Sequence, residues 1–204
     1  MTVVVSGPVG AFNDQVRRAE LVDKAENSLR RVARDVRHAL PNSVRVTAAG
    51  GVIALEMLNT VDGVRYREQP PGNPTKRLRF TGPDNAFNSV GRFTEIALPF
   101  SSNAHYLSVY NVGVPGADAY ELANVITPPG TRIDITTDSI PGENNVRVTP
   151  AFRFAFASPG QRVFLVDQPV SYLCDSLSQT LVRYSGYAIT TNQSDRDSNA
   201  ELLA

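Results

Sequence analysis

His38 and His105 are the only imidazoles in a chain of 204 residues, and neither belongs to a recognisable catalytic pattern. There is no G-x-S-x-G elbow, Walker loop, G-x-G-x-x-G, H-E-x-x-H or C-x-x-C. His38 falls in the last turn of a predicted helix, where a cation complements the helix dipole. The stretch SDRDSN, Ser194 to Asn199, alternates oxygen-bearing side chains as a Ca²⁺ loop does. It lacks the glycine and the distant glutamate of an EF-hand and reads as a solvated loop. Tyr106, Tyr110, Tyr120, Tyr172, Tyr184 and Tyr187 could line a sugar-binding face, although tyrosines in strands more often fill a core or a sheet surface. Cys174 stands alone and cannot form an intrachain disulfide. In a secreted protein an odd cysteine points to an intermolecular bond, a free thiol or a partner outside the chain. The residues point to no enzyme, no metal and no cofactor.

Composition narrows the partners. The formal net charge is zero, and 42% of the residues are hydrophobic, enough for a real core. Apart from Lys24 and Lys76, the basic residues are all arginine, a bias that a GC-rich genome also produces. Arg17, Arg18, Lys24, Arg30, Arg31, Arg34 and Arg37 share a helix with Asp14, Glu20, Asp23, Glu26 and Asp35. No single-sign stripe results, and no nucleic-acid partner is expected. No stretch approaches the roughly 20 apolar residues needed to span a bilayer.

The elements follow from periodicity. Phe12, Val16, Ala19, Val22, Leu29, Val32, Val36 and Leu40 recur in steps of three and four or their sums, which predicts an amphipathic helix over about 12–40. Pro8 starts or kinks it and Pro41 ends it. Its thin apolar stripe, Phe12, Val16, Ala19 and Val22, suits subunit packing. The larger Leu29, Val32, Val36 and Leu40 are expected to pack on a sheet as core. After Asn42 the pattern turns to strands, beginning with a hairpin around Gly50-Gly51. Residues 69–77 form a Pro-rich loop. Further strands are predicted in KRLRF, FTEIALPF, HYLSVYN, YELANVI, RIDITTD, NVRVTPAFRFAF, QRVFLVD, VSYLCD and TLVRYSGYAI. AELLA begins one more helical or strand element. The expected fold class is α+β: a long N-terminal helix, residues 1–40, packed on a mostly antiparallel sheet domain, residues 41–204.

RRAELVDKAENSLRRVARDVRHALPNSVRV, with ALEMLNTVDGVRYR after it, resembles the minor type IV pilins of the MSHA type. VFLVDQPVSYLCDSLSQTLVRYSGYAI resembles a later region of the same family. The resemblance covers about a third of the chain. It implies a pilin-like fold and a structural subunit of pilus assembly, in the initiating or tip complex, with other pilins as partners. It implies that VVVSGPVGAF is the end of an apolar helix that anchors the precursor in the inner membrane, with the domain in the periplasm and then in the pilus. The family's Gly-Phe-Thr-Leu-Ile-Glu processing motif is absent. The resemblance further implies a second cysteine beyond residue 204 as a disulfide partner for Cys174. Alternatives are a J-type pseudopilin of type II secretion and an adhesin or glycan-binding module.

Overall fold

The structure, a computed structural model, describes residues 6–69, 76–193 and 199–203. Helix α1 spans Ser6–Arg37, with Pro8 in its first turn and Arg34 and Arg37 in its last, where their charge complements the dipole. The helix stops before Pro41 because the chain is captured by a strand. Leu40 N–H donates to Leu58 O at 2.8 Å, and Thr60 N–H donates to His38 O at 2.8 Å. Ala39 thereby bridges Asn59.

Among the described residues ten strands follow: β1 Arg45–Ala49, β2 Val52–Tyr66, β3 Asp84–Val90, β4 Phe100–Ser102, β5 Tyr106–Ser108, β6 Arg132–Thr137, β7 Asn144–Phe152, β8 Arg162–Asp175, β9 Thr180–Ser185 and β10 Asn199–Leu202. The order is β10-β9-β8-β2-β3-β7-β6-β4, with β1 beside β2 and β5 beside β8, every pair antiparallel. Gly50 and Gly51, with φ of +58° and +83°, form the two-residue turn between β1 and β2. Register shifts between Leu58 and Asp62 interrupt the β2–β8 ladder. Such bulges bend a strand and increase its twist, and the sheet curls into a half-barrel.

Inside the curl, Tyr66, Phe87, Phe93, Ile133, Val146 and Leu165 form the main core. A second cluster joins Leu40 and Leu58 to Tyr120, Ile126 and Val166. A third, smaller cluster of Met57, Val170 and Tyr172 lies beneath the end of the helix.

The expected α+β arrangement, a long helix packed on a sheet, is not what forms. The described residues form a mostly antiparallel β half-barrel with one α-helix, and every residue from Gly10 to Asn27 is exposed. Of the expected core face, Leu29 is 67% exposed and Val36 38%. Val32 is partly buried against the third cluster, and Leu40 is buried but lies beyond the helix. The reason is rotational. Ser28, Arg31, Val32 and Asp35 face the sheet, and Leu29 and Val36 each sit one residue, about 100°, further round.

Strand boundaries differ as well. GVRYRE, whose alternation predicts a strand of its own, instead supplies with its first four residues the end of β2, and QRVFLVD and VSYLCD are one strand, β8. Pro169 pairs with Leu58 where the register shifts, a place where a missing N–H is tolerated. KRLRF, most of FTEIALPF, and YELANVI are not strands; the last includes a 3₁₀ turn at Ala119–Glu121. Strand β3 gave no periodic signal, because Asp84, Asn88 and Ser89 are buried polar residues within it.

Candidate functional site

The helix presents two chemically different faces. Toward the sheet it is held largely by polar groups. Tyr172 donates its hydroxyl to Asp35 Oδ2 at 2.7 Å, and Arg183 Nε donates to the same oxygen at 2.9 Å. Arg31 pairs with Glu201 of β10 at 2.7 Å, and buried Ser28 donates to Leu203 O at 3.4 Å. Val32 and Ala39 add apolar contact.

Away from the sheet runs an apolar stripe. Val22, Leu29 and Val36 stand seven residues apart, so they lie nearly in line and drift by only about 20° per heptad. Phe12 and Ala19 continue the band, with Val16 beside it. Phe12 and Val22 are each more than 60% exposed, and Val16 is 39% exposed. The faces read from the sequence as subunit-packing and core therefore join, through Leu29 and Val36, into one solvent-facing stripe. Leu21, also exposed, lies about 100° round from Val22.

The remaining sequence candidates are dispersed. His38 follows the last residue of α1, and His105 lies between β4 and β5. His105 Nδ1 lies 2.7 Å from Ser102 Oγ, which also accepts Ala104 N–H at 3.1 Å. That is a local turn, with Phe100 packed against the edge of the imidazole. Cys174 is a free, exposed thiol on β8. Ser194–Asn199 lies outside the described residues except for Asn199, which opens β10. Among the described residues, no group of three His, Cys, Asp or Glu could hold a metal, and no helix is long and apolar enough to cross a membrane.

The tyrosines form no shared face. Tyr120 and Tyr172 are buried in separate clusters, Tyr106 and Tyr184 are partly buried, and Tyr110 is exposed. Tyr187 instead joins a buried charge centre that sequence reasoning missed. Glu56, 1% exposed, accepts from Arg45 Nε at 2.5 Å and from Tyr187 OH at 2.8 Å. Tyr187 also contacts Ser171. The Arg45 guanidinium stacks 3.6 Å over the Tyr120 ring and donates to the carbonyls of Thr190 and Thr191. The signal was in the hairpin: the turn at Gly50-Gly51 places Arg45 opposite Glu56.

Burial raises the hydroxyl pKa of Tyr66, Tyr106, Tyr120, Tyr172 and Tyr187. Tyr172, pushed to about 12, is raised further by its bond to Asp35. A hydroxyl that ionises later in the folded than in the unfolded chain stabilises the fold fully below the unfolded value near 10. That stability is lost as pH rises through the folded value. Tyrosinate absorbance should therefore rise in a cooperative step together with loss of sheet circular dichroism above about pH 10. Gradual ionisation of these five tyrosines with the sheet intact would contradict this.

Compared with protein-family models, curated proteins and solved structures, the chain matches none.

Proposed function

We propose that the chain is the globular part of a minor type IV pilin, a structural subunit whose work is assembly with other pilin subunits. The observation that carries the reading is the exposed apolar stripe of Phe12, Val16, Val22, Leu29 and Val36 on a helix that extends clear of the half-barrel. Large apolar residues in a row on a free helix face mark an interaction surface, because water-exposed apolar area is stabilised by burial against a partner. The sequence resemblance to MSHA-type pilins supplies the kind of partner. In this reading the precursor sits at the inner membrane, with the domain in the periplasm, and the subunit then enters the pilus.

Val16→Glu and Leu29→Glu test it together. Each change lies on an exposed position, so the unfolding free energy of the soluble chain should move by no more than about 0.5 kcal/mol. In the full-length protein either carboxylate should abolish incorporation into pili, since a packed helix interface leaves it buried and unpaired. Normal incorporation of both variants would overturn the reading. So would unfolding of the soluble chain by Val16→Glu, because the stripe would then be serving the fold.

A further inference from the structure

On the outer surface of the curl, well away from the helix stripe in sequence, β2 and β8 place two arginines directly opposite each other, Arg65 and Arg162. Like charges in cross-strand register destabilise a sheet. A third arginine, Arg92, joins them around one concavity of about 290 Å³ that also includes Gly63 and Gly91. All three arginines are exposed, and none forms an ion pair among the described residues. Arg65 has a neutral partner, Gln161 Oε1 at 2.7 Å.

The neighbouring carboxylates make hydrogen bonds of their own and, among the described residues, no ion pair with these arginines. Asp62 accepts the backbone N–H groups of Gly63, Thr94 and Glu95 at 2.7–2.9 Å. Glu68 is held by Gln161, and Glu95 by the Thr94 hydroxyl. In a chain of zero net charge, three uncompensated guanidiniums around one groove are a local excess that the overall composition does not require.

We propose that this groove binds a phosphate or sulfate group. Guanidinium forks match the geometry of tetrahedral oxyanions, and a bound dianion removes the Arg65–Arg162 repulsion. Gly91 leaves its part of the groove open, since a side chain there would meet nothing within 4 Å, while the Phe164 ring lies over Gly63. Two sources present such a group: a free ion, or an ester carried on a sugar polymer.

The test titrates the whole chain with inorganic phosphate, inorganic sulfate, a heparin fragment and a neutral dextran, at low ionic strength. Binding should be followed by calorimetry and by the rise in Tm that a ligand of the folded state produces. The wild type should respond to a free ion, to the heparin fragment, or to both, and not to dextran. Response to the free ions identifies the first source; response to heparin alone identifies the second. Arg65→Gln and Arg162→Gln should each weaken binding about tenfold, as expected for loss of a charged hydrogen bond. Arg17→Gln, on the exposed helix, should leave it unchanged. Without ligand, Arg162→Gln should keep or raise Tm, because it relieves repulsion. No response to any of the anions, or equal binding by Arg17→Gln and both groove variants, would overturn the proposal. A lower ligand-free Tm in Arg162→Gln would also overturn it, by showing that the arginine serves the fold.

Discussion

Glu56→Ala is expected to destabilise the protein by about 3–5 kcal/mol, measured by urea unfolding, because it leaves a largely buried Arg45 without its counter-charge. The Glu56 side chain is 2% exposed and that of Arg45 24%. The change removes the acceptor of the Arg45 and Tyr187 hydrogen bonds together. Glu56→Gln keeps an oxygen for Tyr187 but not the negative charge, and should fall between alanine and wild type. Replacing Arg45 and Glu56 together by methionine should recover much of the loss, since a buried ion pair often contributes little more than well-packed apolar side chains. A comparison at the surface fixes the scale. Glu26 pairs with Arg30 at i,i+4, both well exposed, and Glu26→Ala should change stability by well under 1 kcal/mol. A Glu56→Ala effect as small as that would mean that the centre is hydrated in solution.

Phe87→Ala should cost about 3–5 kcal/mol by the same measurement, through lost burial and the cavity left behind. Phe87 is 1% exposed on β3. Strand β3 meets β2 at only Arg65–Val90 and Tyr66–Ser89, yet it pairs with β7 on its other side. The two arms of the curl are therefore joined by a short ladder, and the core between them holds the joint closed. Removing the ring should lower the denaturant slope as well as the midpoint if the arms open separately. A cooperative transition with an unchanged slope would show that they unfold as one unit.

The helix and the hairpin were legible in the sequence because their signals are local. A 3.6-residue period needs no knowledge of what lies opposite, and Gly50-Gly51 carries its own backbone requirement. Which helix face the sheet would take was not legible. Apolar size pointed to Leu29 and Val36, but the anchoring is done by Ser28, Arg31 and Asp35, whose partners Leu203, Glu201, Tyr172 and Arg183 lie far along the chain. Strand β3 was hidden for a related reason. Buried Asp84 accepts from Arg79, and buried Asn88 donates to Glu143 at 2.9 Å, so polar residues occupy positions where periodicity looks for apolar ones. The arginine groove depends on register between β2 and β8, which no single stretch of sequence reveals.

The bridge between the end of the helix and β2 has a mechanical consequence. A pull on the helix reaches the domain through His38, Ala39 and Leu40, whose backbone bonds run to Leu58 and Thr60 in the longest strand. That strand is flanked by β8 over nearly its whole length. Tension therefore enters the middle of the ladder and spreads as shear over many hydrogen bonds, instead of peeling one edge strand at a time. The ion pairs of Arg31 and Asp35 stand in parallel with this path and can break and re-form under load while the backbone joint holds. The helix is thus a tether fixed at the centre of its anchor.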